Sequence, residues 1–199
     1  MSSSKVSLAY FQNEDVIALA RDLPGKYLFS NIDQKLTGGI ITETEAYAGT
    51  TDKASHAYNG RRTARTKTMY LKGGVSYVYF TYGMHYLFNV VTGKKEVPHA
   101  ILIRAIYPTT GVEHMLERTG KMKVDYQLTN GPAKMTKAMD ITKIHNGISL
   151  IGDTIWIEDR NIVVSEKDIT ALPRIGIDYA GNDALLPWRF VLKYENYIG

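Results

Sequence analysis

Between Val75 and Val91 the chain reads Val-Ser-Tyr-Val-Tyr-Phe-Thr-Tyr-Gly-Met-His-Tyr-Leu-Phe-Asn-Val-Val. No other segment narrows the possible folds as much. β-branched and aromatic side chains lose rotamer freedom in a helix and pack well on a pleated surface. One glycine, Gly83, interrupts the run near its middle. The segment is therefore expected to form a β-hairpin that turns within residues 82–85. Alternation then puts Tyr77 and Tyr79 on one strand face and leaves Tyr82 near the tip, where a large ring has little core to pack on.

The other elements are read from the same signals. Residues 26–29, 39–47, 100–106, 155–158 and 190–194 read as strands, with turn residues filling 31–38. A helix is expected over 13–23, capped by Asn13 and ended by Pro24-Gly25. Two more helices are expected over 111–118 and 132–139, the second entered through Asn130-Gly-Pro. Residues 49–68 are polar and irregular. Adjacent strands are joined too tightly for regular βαβ crossovers. The expected class is α+β, with a curved, largely antiparallel sheet, flanking helices and a protruding β-hairpin. A length of 199 residues, without a Pro/Gly/Ser-rich linker or a repeat, suggests one domain over 1–199.

Composition removes several chemistries. There is no cysteine, so disulfide frameworks, thiolate zinc sites, iron–sulfur clusters and cysteine nucleophiles are excluded. No apolar run approaches transmembrane length, and the first residues have no secretory pattern, so a cytoplasmic protein is expected. There is no P-loop, G-x-G-x-x-G, G-x-S-x-G or H-E-x-x-H. No cofactor is expected, and the scarcity of ligand spacings argues for no metal: Asp52 and His56 would converge only on a helix, which Gly49 and Asn59-Gly60 oppose.

The formal net charge is only +4, yet residues 58–74 hold five basic side chains (Arg61, Arg62, Arg65, Lys67 and Lys72) and no acidic one. Such a cluster is either a solvated loop or a phosphate contact. Its place just before the aromatic hairpin favours the second: Tyr82 could wedge between base pairs, as apolar and aromatic side chains do from the minor groove, while the arginines and Lys72 anchor flanking phosphates. In 41–47, Ile-Thr-Glu-Thr-Glu-Ala-Tyr, alternation puts Ile41, Glu43, Glu45 and Tyr47 on one face. Paired carboxylates beside a ring are one route to a general base.

Glu43-Thr-Glu-Ala-Tyr47, then His56, Tyr77-Val-Tyr79, Tyr82-Gly-Met84 and Asn89 resemble the alkyladenine (3-methyladenine) DNA glycosylases of the mammalian type. The resemblance continues through Leu102-Ile-Arg-Ala105, Asn130-Gly-Pro-Ala-Lys134, Arg174-Ile-Gly176, Ala180-Gly181 and Pro187-Trp-Arg-Phe190. It spans about Val16 to Leu192. His85 departs from it, standing where the family has an aromatic ring. The chain also lacks a long N-terminal extension and so resembles the minimal bacterial form.

The resemblance implies a monofunctional enzyme of base excision repair that flips alkylated or deaminated purines out of duplex DNA and hydrolyses the N-glycosidic bond. It implies that Glu45 activates the water, helped by Arg104 and the main chain at Ile175. Tyr47, His56 and Tyr79 would enclose the base, with Asn89 crowding the amino group of guanine. Tyr82 would fill the gap in the stack with Met84 beside it, and Arg61, Arg65 and Lys72 would hold the DNA. Electron-rich rings at Tyr47 and Tyr79 would attract a cationic purine. Glu43 is expected to be structural, paired with an arginine. No lysine is placed as a Schiff-base nucleophile, and a monomer on DNA is expected. The competing readings are an inactive nucleic-acid-binding module on the same scaffold and a metal-dependent nuclease.

Overall fold

One strand organises the chain. In a computed structural model, which describes residues 4–125 and 127–198, nine strands are β1 (Ser4–Lys5), β2 (Tyr27–Ile32), β3 (Lys35–Tyr47), β4 (Ser76–Thr81), β5 (His85–Thr92), β6 (His99–Thr110), β7 (Ile155–Asp159), β8 (Ile169–Leu172) and β9 (Arg189–Leu192). The helices are α1 (Leu8–Phe11), α2 (Val16–Asp22), α3 (Val112–Thr119) and α4 (Pro132–Ala138). The strands form one antiparallel sheet in the order β1-β7-β2-β3-β6-β5-β4. The thirteen-residue β3 has room for a third partner. Lys35–Ile40 pairs with β2, Glu43–Glu45 pairs with β9, and β6 runs along the other edge up to Tyr47. β9 in turn holds β8. The α+β class and the antiparallel sheet are as expected.

Several local expectations need correction. The turn expected over 31–38 is only Asp33-Gln34, both at positive φ (52° and 60°). Two-residue hairpin turns demand that geometry, and Asn-Gly or Asp-Gly usually supplies it. Asp-Gln carries no such signal, so β2 and β3 run further into the segment than their sequence suggests. The first full helix starts later than expected. Asp15, not Asn13, is its cap, with Oδ1 accepting from Ala18 N at 2.9 Å. Asn13 Oδ1 instead accepts from Asp15 N in the preceding turn. Residues 49–70 carry three short 3₁₀ turns, as befits an irregular segment.

The sheet is covered on both faces. One face carries Leu28, Ile41, Val78, Phe88, Val90, Ile101 and Ile103, packed with Leu19 and Ala20 of α2 and Met135 of α4. The other carries Tyr77, Val91 and Ala100, packed against Ala57, Met69 and Tyr70 of the irregular segment. Thr44 ties α2 to the sheet by donating to Ala20 O at 2.6 Å.

Ile41 does not share a face with Glu43, because the register of β3 against β6 shifts on both sides of Glu43: Ile41 faces Ile106, Glu43 faces Ala105, and Thr44 faces Ile103. Thr42 and Arg104 are left as the extra residues. Bulges of this kind re-aim side chains and recur beside functional sites. Here they return Ile41 to the core and free Arg104 to face the carboxylates. Among the described residues no helix is long and apolar enough to cross a membrane.

Gly39 shows how closely β3 and β6 approach. A Cβ there would lie 2.1 Å from the backbone oxygen of Tyr107, and backbone cannot swing aside. Gly39→Ala is expected to cost about 3 kcal/mol, at the upper end for overpacking, seen as a lowered midpoint in urea unfolding.

Candidate active site

Three strand faces and two loops converge on a cavity of about 330 Å³, at the small end for ligand sites. β4 supplies Tyr77 and Tyr79, β5 supplies Leu87 and Asn89, and β6 supplies Leu102 and Arg104. Tyr47 at the end of β3, His56 and Arg65 of the irregular segment, and the loop at Ile175–Tyr179 complete the walls.

Glu45 lies immediately behind this lining and has no exposed surface. Its Oε1 accepts from the backbone N–H of Ile175 at 2.8 Å, and Arg104 Nη1 stands 3.3 Å from the same oxygen. Its Oε2 accepts from the Tyr47 hydroxyl at 2.8 Å. Isolated burial of a carboxylate would be prohibitive; charge pairing and hydrogen bonds to both oxygens make it tolerable. Arg104 also donates from Nε to Glu43 Oε1 at 2.8 Å, and Arg189 Nη1 donates to that oxygen at 3.0 Å. The arginine partner expected for Glu43 is therefore present twice. Burial works against the charge on Arg104, but Glu45 and Glu43 outweigh it and hold its pKa above the usual arginine value. Burial, together with the Glu45 charge, likewise pushes the Tyr47 hydroxyl well up.

His56 and Asn89 are both in the cavity wall. His56 Nδ1 is 2.9 Å from the Tyr77 hydroxyl, and its ring stands edge-on to Tyr79 with centroids 4.7 Å apart. Burial first, then the Arg65 and Arg61 charges, lower its pKa to about 4, so the imidazole is neutral near neutral pH. Asn89 is buried and donates from Nδ2 to Tyr77 O at 3.0 Å. Tyr77 itself was not anticipated as a site residue, although it shares a strand face with Tyr79. Burial pushes its hydroxyl up to about 12.

Asp52 and Arg174, 122 residues apart, brace the site in a way no spacing announces. Arg174 grips Asp52 with Nη1 at 2.6 Å and Nη2 at 2.9 Å, and both side chains are fully buried. Asp52 also accepts from Ala48 N and Ala54 N. The pair fastens the start of the irregular segment to the loop that presents Ile175 N–H. Asp52 thus has no capacity left for the metal pairing with His56 considered above. Among the described residues no three His, Asp or Glu side chains could together hold a metal ion.

At the cavity mouth the hairpin projects. Tyr82 and Gly83 both have positive φ (52° and 68°), and Tyr82 and Met84 are 82% and 69% exposed. A left-handed tyrosine costs about 1–2 kcal/mol, and such strain tends to collect at working sites. Arg65 lies over the Tyr79 ring, 4.5 Å from its centroid, and Arg61 is exposed nearby in sequence. Lys72 precedes the six-residue β4, whose far end leads into Tyr82, so the two lie about 20 Å apart along the chain.

The lowered pKa of His56 makes a pH prediction. An unfolded histidine titrates near 6.5 and His56 in the fold near 4, so between these values the unfolded chain binds more protons and stability rises with pH. The contribution is complete above about 6.5 and lost as pH falls toward 4. Wild-type protein should lose more urea resistance between pH 7 and pH 5 than His56→Gln; parallel losses would contradict this.

A family model described as methylpurine-DNA glycosylase (MPG) matches residues 10–196. A protein of Chlamydia felis is 50% identical over 188 residues, covering 94% of this chain and 95% of its own length. One of Clostridium novyi is 44% identical over 195 residues, covering 94% and 95%. One of Bacillus cytotoxicus is 42% identical over 196 residues, covering 94% and 96%. Each carries the name "Putative 3-methyladenine DNA glycosylase". With nearly its whole length matched and half of the aligned residues identical in one relative, the chain belongs to the methylpurine-DNA glycosylase family and is a DNA glycosylase of base excision repair, a hydrolase of N-glycosyl bonds.

Proposed function

We propose that the cavity receives an alkylated or deaminated purine turned out of duplex DNA, and that Glu45 activates the water that displaces it. One observation carries the reading: a buried carboxylate stands directly behind a purine-sized aromatic cavity, held by three donors that themselves line or border it. Flipping costs a few kcal/mol, least for a damaged pair. Tyr47, His56 and Tyr79 enclose the base, and Asn89 crowds a guanine amino group. The names of the relatives support 3-methyladenine as one substrate.

The sugar develops oxocarbenium character as the C1′–N bond breaks. A carboxylate beside that carbon stabilises it and takes a proton from water. Glu45 uses three of the about four acceptor positions of a carboxylate, two on Oε1 and one on Oε2, so a water admitted from the cavity can bond Oε2 while Arg104 and Ile175 N–H hold the carboxylate that positions it. Tyr82 fills the vacated place from the minor-groove side with Met84 beside it, and Arg61, Arg65 and Lys72 contact phosphates. The enzyme acts as a cytoplasmic monomer, without a cofactor or a lyase step.

Release of free base from methylated duplex DNA, with EDTA present, tests the reading. Wild-type protein should release base. Glu45→Gln should lower release on the order of 10²–10⁴-fold while still binding duplex, and Glu43→Gln should lose less. Binding without release by the wild type would point to an inactive module, and abolition by EDTA to a metal nuclease. Tyr82→Ala should weaken excision from a stable base pair more than from a mismatch, because unpairing costs less there.

A further inference from the structure

Two tyrosines of the cavity lining, Tyr47 and Tyr79, are both already in contact with cations. Arg174 lies 4.9 Å from the Tyr47 centroid and Arg65 lies 4.5 Å from the Tyr79 centroid. The two arginines differ in their surroundings. Arg174 is neutralised by Asp52 through two hydrogen bonds. Arg65 lines the cavity, and among the described residues no carboxylate lies within ion-pair distance of it. By contrast Arg62, three residues earlier, is paired with Glu96. The cavity therefore has one uncompensated positive charge in its wall, on the ring whose π-face would otherwise attract a cationic guest.

From this we infer that Arg65 sets the charge preference of the cavity, disfavouring a cationic purine and assisting the departure of a neutral one. The inference rests on the reading of the cavity as a base pocket. Its chemistry follows from where the bonding electrons go. Methylation of a purine ring nitrogen leaves the nucleobase cationic; when the C1′–N bond breaks, the ring takes the electron pair and leaves neutral. Such a base meets repulsion from Arg65 on entry and needs no help on leaving. A neutral purine takes the same pair and leaves as an anion until solvent protonates it. The water oxygen bonds to C1′ and its proton goes to Glu45 in both cases. A cation in the cavity wall stabilises the anionic departure, to the reduced extent that the exposure of Arg65 allows. Arg65 and His56 both contact the Tyr79 ring, and after burial the Arg65 charge contributes to the lowered pKa of His56.

The test is single-turnover excision of 7-methylguanine and of hypoxanthine, each in the same duplex, by wild-type protein, Arg65→Gln and Arg65→Lys. Arg65 is exposed, so folding should survive, and thermal melting checks it. Arg65→Gln should lower hypoxanthine excision about tenfold, the scale of one screened charge at this range. Loss of a phosphate contact would slow both lesions alike, so the readout is their ratio: 7-methylguanine excision should fall at least about threefold less than hypoxanthine excision. Arg65→Lys should preserve the wild-type ratio. An equal loss on both substrates would overturn the inference and leave Arg65 as a phosphate anchor. A ratio altered as much by lysine as by glutamine would also overturn it, since charge would not be the cause. Failure of the wild type to release either base would instead defeat the base-pocket reading and this inference with it.

Discussion

A carboxylate wholly removed from water is held in this fold only because charge and hydrogen bonds reach it from three directions, and much of the architecture serves that arrangement. Tyr47 is two residues along the same strand. Arg104 arrives from β6 because paired bulges leave it unmatched in the ladder. Ile175 arrives from a loop far along the chain, which Arg174 fastens to Asp52. Removing one partner of such a buried set leaves the other charge stranded, at a cost of about 3–5 kcal/mol. The same contacts that stabilise Glu45 therefore fix where it points.

The arrangement also explains why two glutamates two residues apart are not interchangeable. Both lie on one face of β3, as alternation requires. Glu43 is partly exposed and bound to two arginines, whereas Glu45 is sealed and borders the cavity. Glu43 orients Arg104, and Arg104 in turn orients Glu45.

How much of this could be read in the sequence depended on whether the signal was local. The hairpin of β4 and β5 was legible to within a residue, because strand propensity and a lone Gly83 agreed, although His85, expected in the turn, already pairs with Thr81. The Asp33-Gln34 turn was not, because neither residue advertises positive φ. The bulges were illegible, since a register shift arises only when two strands are laid together, and Ile41 was accordingly put on the wrong face. The Asp52–Arg174 clamp was hidden by sequence distance. Glu45, Tyr47, His56, Tyr79, Asn89, Arg104 and Ile175 were marked as a set by resemblance to a family, and the fold gathers them around or against one cavity. Lys72 was grouped with the hairpin tip by sequence proximity, and it stands at the other end of β4 from Tyr82.

The strand that bears Glu45 is hydrogen-bonded to three others, while the tip that bears Tyr82 is bonded to almost nothing. Amide protons in the middle of β3 can exchange with solvent only when most of the sheet comes apart, whereas those at residues 82–84 need only a local fluctuation. Rigidity and pliancy are thus divided between the two ends of a single recess: its back wall opens only on the timescale of global unfolding, and its rim is free to reshape itself against whatever approaches.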